Sequence, residues 1–128
     1  TEAQITTLVR RVQAQLGLSG WDIRIHVGEV PDDVNLGQRL SGASAACPEY
    51  MAGDVYFDPE RIVYTHEDLT AVVRHELLHI RLSPLASVAD LWAGDDPGRG
   101  RFVTFVNEQT TTALERMPLW DLVDRVDL

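Results

Sequence analysis

The stretch THEDLTAVVRHELLHIRLSP, residues 65–84, decides how this chain folds. Leu69, Val73, Leu77 and Ile80 recur at three- and four-residue intervals, so they fall on one side of a helix. Thr65 and Asp68 have capping-box spacing at the front, and Ser83-Pro84 supplies a stop signal at the back. The spacing therefore predicts a helix from about residue 65 to 82, with one apolar stripe that other elements must cover.

Upstream, Ile5, Leu8, Val9, Val12 and Leu16 predict an amphipathic first helix ending at Gly17. From Trp21 the period drops to two, and Trp21, Ile23, Ile25 and Val27 predict a half-buried strand with His26 on its solvated side. Residues 31–41 read as a loop or a weak strand. Gly42–Cys47 and Gly53–Asp58 flank the turn-like Pro48-Glu-Tyr-Met and suggest a hairpin that Pro59 ends. Downstream come a short helical piece near Leu85–Trp92, a loop over Gly94–Gly100 and a helix bearing Phe102, Phe105, Val106, Gln109, Ala113 and Met117 as its packed side. Leu119–Leu128 reads as a last amphipathic helix. These elements make an α+β chain, and its 128 residues without repeat or linker suit one domain, 1–128.

Composition narrows the function. At 45% hydrophobic and 24% charged residues the chain is ordinary globular protein. Its net charge of −9, with every basic residue an arginine, argues against nucleic acid as a partner. No apolar run reaches the roughly 18 residues of a membrane span, and the opening residues lack a signal-peptide pattern. Cys47, the lone cysteine, cannot form an internal disulfide, which suits the cytoplasm.

The chemistry lies in His75-Glu76-Leu77-Leu78-His79, an HExxH pattern. Two histidines four apart on a helix are separated by about 6 Å along the axis, so both imidazoles can reach one metal ion. Glu76 points elsewhere and is free to take a proton from water on that ion. Zinc wants a third protein ligand, and no histidine follows His79. A carboxylate must serve. The choices are Asp90, Asp95, Asp96, Glu108, Glu115 and the acids of the last segment. Glu108, in the middle of the last long helix and beside the expected packed stripe, is preferred to Glu115.

His75-Glu-Leu-Leu-His79 followed by Asn107-Glu108 resembles the gluzincin group of zinc metallopeptidases, whose third ligand is a glutamate often preceded by asparagine. The likeness is to compact single-domain members, namely the minigluzincins, the ImmA/IrrE-like proteins and phage-encoded forms. It covers roughly residues 5 to 118, with specificity in the two motif segments. The resemblance implies a zincin-like fold, a small mixed sheet whose edge strand lies against the HExxH helix, and then a glutamate-bearing helix. It implies one zinc per chain on His75, His79 and Glu108, with Glu76 as general base for peptide-bond hydrolysis. It also implies an edge strand that pairs with an extended peptide or protein substrate, here Gly53, Asp54, Val55, Tyr56 and Phe57.

The chain departs from that pattern twice. Thr112 stands where thermolysin-like members carry an aspartate that holds a zinc histidine, and no Tyr or His follows His79 to stabilise an oxyanion. Arg81, Arg99, Arg101 and Arg116 are candidates to substitute in that role. The expected protein is a monomeric zinc peptidase of low activity, and the rival is a zinc-stabilised binding module of a phage or regulatory pathway.

Overall fold

A computed structural model describes residues 1–31 and 39–117. Among these residues the order is α1 (Glu2–Gln15), β1 (Asp22–Val27), β2 (Gly42–Cys47), a 3-10 turn (Pro48–Tyr50), β3 (Ala52–Phe57), α2 (Pro59–Tyr64), α3 (Leu69–Ala93) and α4 (Pro97–Glu115). Four helices thus accompany a three-stranded mixed sheet in a small α+β structure. The readings of a loop or weak strand at 32–38 and of a helix at 119–128 lie outside the described residues.

The hairpin forms as its turn residues suggest. Met51, at φ 50°, takes the left-handed conformation that returns the chain from the 3-10 turn into β3. β2 then runs antiparallel to β3 with Ser44 opposite Val55, and β1 runs parallel to β3 on the other side with Ile23 opposite Gly53. The strand order is β1-β3-β2. This corrects the expectation that Gly53–Phe57 is an edge: the strand is central, and its backbone groups are engaged from both sides. Among the described residues β2 holds the edge instead.

Alternate residues of β3 (Gly53, Val55 and Phe57) are buried on one face of the sheet. Onto that face α1 brings Ile5, Val9 and Val12, and α3 brings Val73, Leu77 and Ile80, in one cluster with Ile23 and Ile62. Each such side chain, fully buried, contributes about 1.5–3 kcal/mol of transfer free energy. A Cβ added at Gly42 would lie 3.0 Å from Val72 Cγ1 and 3.2 Å from Glu76 Cγ, so this glycine lets β2 approach α3 closely.

Several helix boundaries differ from expectation, each for a local reason. Pro59 ends β3 but also starts α2, because the Asp58 side chain caps the helix by accepting from Arg61 N and proline suits the first helical position. Thr65 is thereby used as the C-cap of α2, and His66 follows at φ 57°. Asp68, not Thr65, caps α3 by accepting from Thr70 N at 2.9 Å. Ser83-Pro84 does not end that helix. Pro84 has no N–H for the carbonyl of Ile80, but the Ser83 hydroxyl donates to that carbonyl at 2.7 Å, and α3 continues to Ala93. The predicted loop shrinks to Gly94–Asp96, where Asp96 accepts from Gly98 N and Arg99 N and Pro97 opens α4.

The packed side of α4 also differs. Thr111 is fully buried and Val103, Asn107 and Leu114 are half-buried, whereas Phe102 and Phe105 are 59% and 62% exposed. The helix is rotated so that its aromatic residues face out. Its neighbour along most of its length is α3 alone.

Candidate metal centre

α3 and α4 lie side by side and turn three side chains toward one point. His75 Nε2 and His79 Nε2 are 3.1 Å apart. Glu108 Oε1 is 2.9 Å from His79 Nε2, and Glu108 Oε2 is 3.4 Å from His75 Nε2. A tetrahedral ion with bonds of about 2.0–2.2 Å holds neighbouring donor atoms roughly 3.3–3.6 Å apart. The observed spacings are close to that, so the group could bind a metal ion with little side-chain movement. Sequence favours Glu108 for its place beside a packed stripe. It occupies the site for another reason: it projects from the side of α4 that borders α3, while Phe105 and Gln109 are exposed.

Glu115 serves a different nitrogen. Its Oε2 lies 2.7 Å from His75 Nδ1, on the far side of the ring from Glu108, and its side chain is only 13% exposed. A proton on Nδ1 donated to this carboxylate leaves the Nε2 lone pair directed at the ion position. Seven residues separate Glu108 from Glu115, two helical turns, so both project from the same side of α4. Thr112, expected to support the zinc histidine, lines the cleft but does not bond that ring. The supporting role falls to Glu115, which the sequence presents only as a rival ligand. Its i+7 spacing from Glu108 is the signal that could have found it.

Charge in the site follows burial. Desolvation lowers the pKa of His79, against the raising effect of Glu108, and so favours the neutral imidazole that a metal requires. Glu76 is 8% exposed, and its carboxyl is pushed up from 4.5 to about 7, chiefly by desolvation. His75 and a hydrogen bond with the Ser44 side chain oppose that shift, while Glu108 and Glu115 add to it. Glu76 is not one of the converging donors. It stands beside them, against β2, as a carboxyl whose proton affinity is near neutrality.

The site opens into a cleft of about 1220 Å³, larger than the roughly 300–1,000 Å³ of small-molecule sites. One wall is the β2 edge, with Gly42, Ala43, Ser44 and Ala46; the other is α3 and α4. None of the expected substrate-pairing residues Gly53, Asp54, Val55, Tyr56 and Phe57 lines it. Gly53, Val55 and Phe57 are in the core, and Asp54 pairs with Arg24 and His26 on the opposite face of the sheet, where Tyr56 stacks on His26. Of the four arginines named for an oxyanion role, Arg116 alone lines the cleft. Arg99 lies over the Trp92 ring. Cys47 is exposed and outside the cleft. Nothing in the sequence marks Ser44 or Gly42, because their roles arise only when β2 meets α3.

No protein-family model matches the chain, and no curated protein or solved structure matches it significantly. No helix among the described residues is long and apolar enough to cross a membrane. The functional reading therefore rests on the geometry of the site itself.

Proposed function

We propose that the chain is a zinc-dependent peptidase of the zincin-like, gluzincin kind, holding one zinc ion on His75, His79 and Glu108. The observation that carries this reading is the convergence of those three side chains beside a buried carboxyl, Glu76, that is not a ligand. Two imidazoles and one carboxylate suit zinc and leave a fourth position for water or substrate. When bound, zinc would supply Lewis acidity, polarising a carbonyl and lowering the pKa of water toward 7.

The chain's own residues do the rest. Glu115 fixes the orientation and tautomer of His75. Glu76 accepts the proton of the attacking water and returns it to the leaving amine, a duty matched by a pKa near 7. Ser44 positions that carboxyl from the β2 side. The β2 edge, unpaired among the described residues and bordered by small side chains, receives an extended peptide by backbone hydrogen bonds.

One observation favours a second reading, a zinc-stabilised binding module. No tyrosine, and no histidine besides the two ligands, lines the cleft, so an oxyanion would depend on other donors of the lining, such as Arg116 or Asn107. Protein purified without added metal should carry one zinc by elemental analysis. Glu76→Gln should keep that zinc while cleavage of a broad peptide library falls by at least about 10²-fold. One zinc with no cleavage by the wild type supports the binding module, and no bound metal removes both readings.

A further inference from the structure

We propose that a second hollow, continuous with the metal cleft, is a substrate subsite that takes the side chain of a lysine or arginine about three or four residues from the bond cut at the metal. The subsite presupposes the peptidase reading and defines which peptides that cleft selects. The hollow, of about 710 Å³, is lined by Pro48, Glu49, Pro84, Ser87, Asp90 and Leu91. Ser87 and Asp90 line the metal cleft as well, so the two spaces are continuous. A peptide laid along the β2 edge leaves that strand at Cys47 and meets Pro48 and Glu49, the start of the 3-10 turn that packs against α3. Ser87 stands eight residues beyond His79 within α3, about 12 Å along the axis, and an extended chain covers that distance in about three or four residues.

The lining selects the occupant. Pro48, Pro84 and Leu91 offer apolar surface to a long aliphatic stem, while Glu49 and Asp90, on the two elements that form the hollow, receive a charged head. Both carboxylates are exposed, and neither has an ion-pair partner among the described residues. The cations of neighbouring turns are placed elsewhere. Arg99 lies over the Trp92 ring, with Nη1 at the Trp92 carbonyl and Nε near Asp96. Arg81, nine residues before Asp90, projects from the opposite side of α3, and Arg101 lines neither space. Arg39, Arg61 and Arg116 belong to the other end of the cleft, around Asp58, α2 and the C-terminus of α4, with Glu67 and Asp68 beside them. The Asp90 end therefore presents two uncompensated negative charges to a passing peptide.

Cleavage of alanine-serine peptides with acetylated N-termini and amidated C-termini tests the subsite, because neither terminus then supplies a charge. A single lysine is moved along the peptide, and the cut is located by mass spectrometry. The cut should move with the lysine, staying about three or four residues from it on one fixed side. Lysine or arginine should raise kcat/KM over norleucine by about three- to tenfold, less at high salt. Asp90→Asn and Glu49→Gln should each reduce that preference, and Asp90→Lys with Glu49→Lys should transfer it to glutamate, with zinc content and melting temperature retained because both residues are exposed. Attraction by the net charge of −9 alone would favour lysine at every position without fixing the cut, and that result overturns the subsite. A lysine preference that survives the double reversal also overturns it. Failure of the peptidase reading shows separately, as a protein that cuts neither these peptides nor their lysine-free parent, and it removes the subsite too.

Discussion

The two halves of α3 are built from similar residues and end in different surroundings. In the first half Val73, Leu77 and Ile80 are fully buried, and the metal-site histidines stand beside them. In the second half Leu85, Val88 and Leu91 are 65–83% exposed. Helix propensity does not separate the two stretches; the reach of the sheet does. Six-residue strands extend about 20 Å, while a 25-residue helix extends about 37 Å. The helix therefore runs past its platform. The first half is a rigid support for the His75, His79 and Glu108 group, and the second is a surface held mainly by α4.

The largest test of that contrast is a pair of truncations. Leu77→Ala removes a fully buried side chain from the core cluster and should cost about 2–5 kcal/mol in chemical denaturation. Leu91→Ala makes the same chemical change on the exposed half and should stay within about 0.5 kcal/mol. Comparable costs at the two positions would mean that the second half is as well covered as the first.

A pH titration sharpens the contrast at Glu76, the charged group that the first half buries. Its folded pKa, about 7, lies above its ordinary 4.5, so folding favours the protonated form. The associated stability is fully present below pH 4.5 and is lost as pH rises through about 7. For metal-free protein the loss is on the order of 3 kcal/mol, the free energy that corresponds to moving the carboxyl from 4.5 to about 7. Glu76→Gln, which cannot ionise, should flatten the profile between those limits. His75, Glu108 and Glu115 also face the site, so the informative quantity is the difference between wild type and variant. An unchanged slope in Glu76→Gln would show that Glu76 is not the buried acid.

The next effect concerns Glu115, through which α4 supports the first half of α3. Glu115→Gln keeps the size but weakens acceptance from His75 Nδ1, and zinc affinity should fall by about 10–100-fold, the usual cost of losing an outer-shell carboxylate. Glu108→Ala should abolish zinc retention, and Thr112→Ala should leave it nearly unchanged. Competition with a chelator of known affinity ranks the three. Equal losses for Glu115→Gln and Glu108→Ala would make Glu115 a ligand.

Where periodicity is strong, the fold is legible from the residues: α1, β1, the hairpin and the first half of α3 lie where alternation and stripes put them. The convergence of His75, His79 and Glu108 is legible too, because residues four apart on a helix share a face and only a few downstream carboxylates can reach it. The strand order is not, since β3 is as apolar as an edge strand beside a helix would be, and only pairing on both sides reveals its central place. The face of α4 misleads because exposed aromatics at helical spacing look the same in sequence as a packed stripe. Both helix-start errors come from capping signals that overlap: Asp58 and Thr65 belong to α2, leaving Asp68 for α3.

The smallest expected effect lies at the joint between the two halves. Pro84 withholds the N–H that would bond the Ile80 carbonyl, and the Ser83 hydroxyl donates there instead, so one side chain keeps the helix continuous from platform to overhang. Ser83→Ala leaves a buried carbonyl short of a donor and should cost about 1 kcal/mol. Pro84→Ala supplies the missing backbone N–H and removes the ring that crowds that carbonyl, so it should stabilise the chain. The double change decides whether Ser83 acts through that carbonyl. Once the backbone N–H restored by Pro84→Ala donates to Ile80, the hydroxyl is dispensable, and Ser83→Ala should then cost much less than it does beside Pro84. Denaturant unfolding of the four proteins in this cycle measures the coupling directly. If the cost of Ser83→Ala is the same with or without the proline, the hydroxyl contributes through packing, and some other feature carries α3 past Pro84.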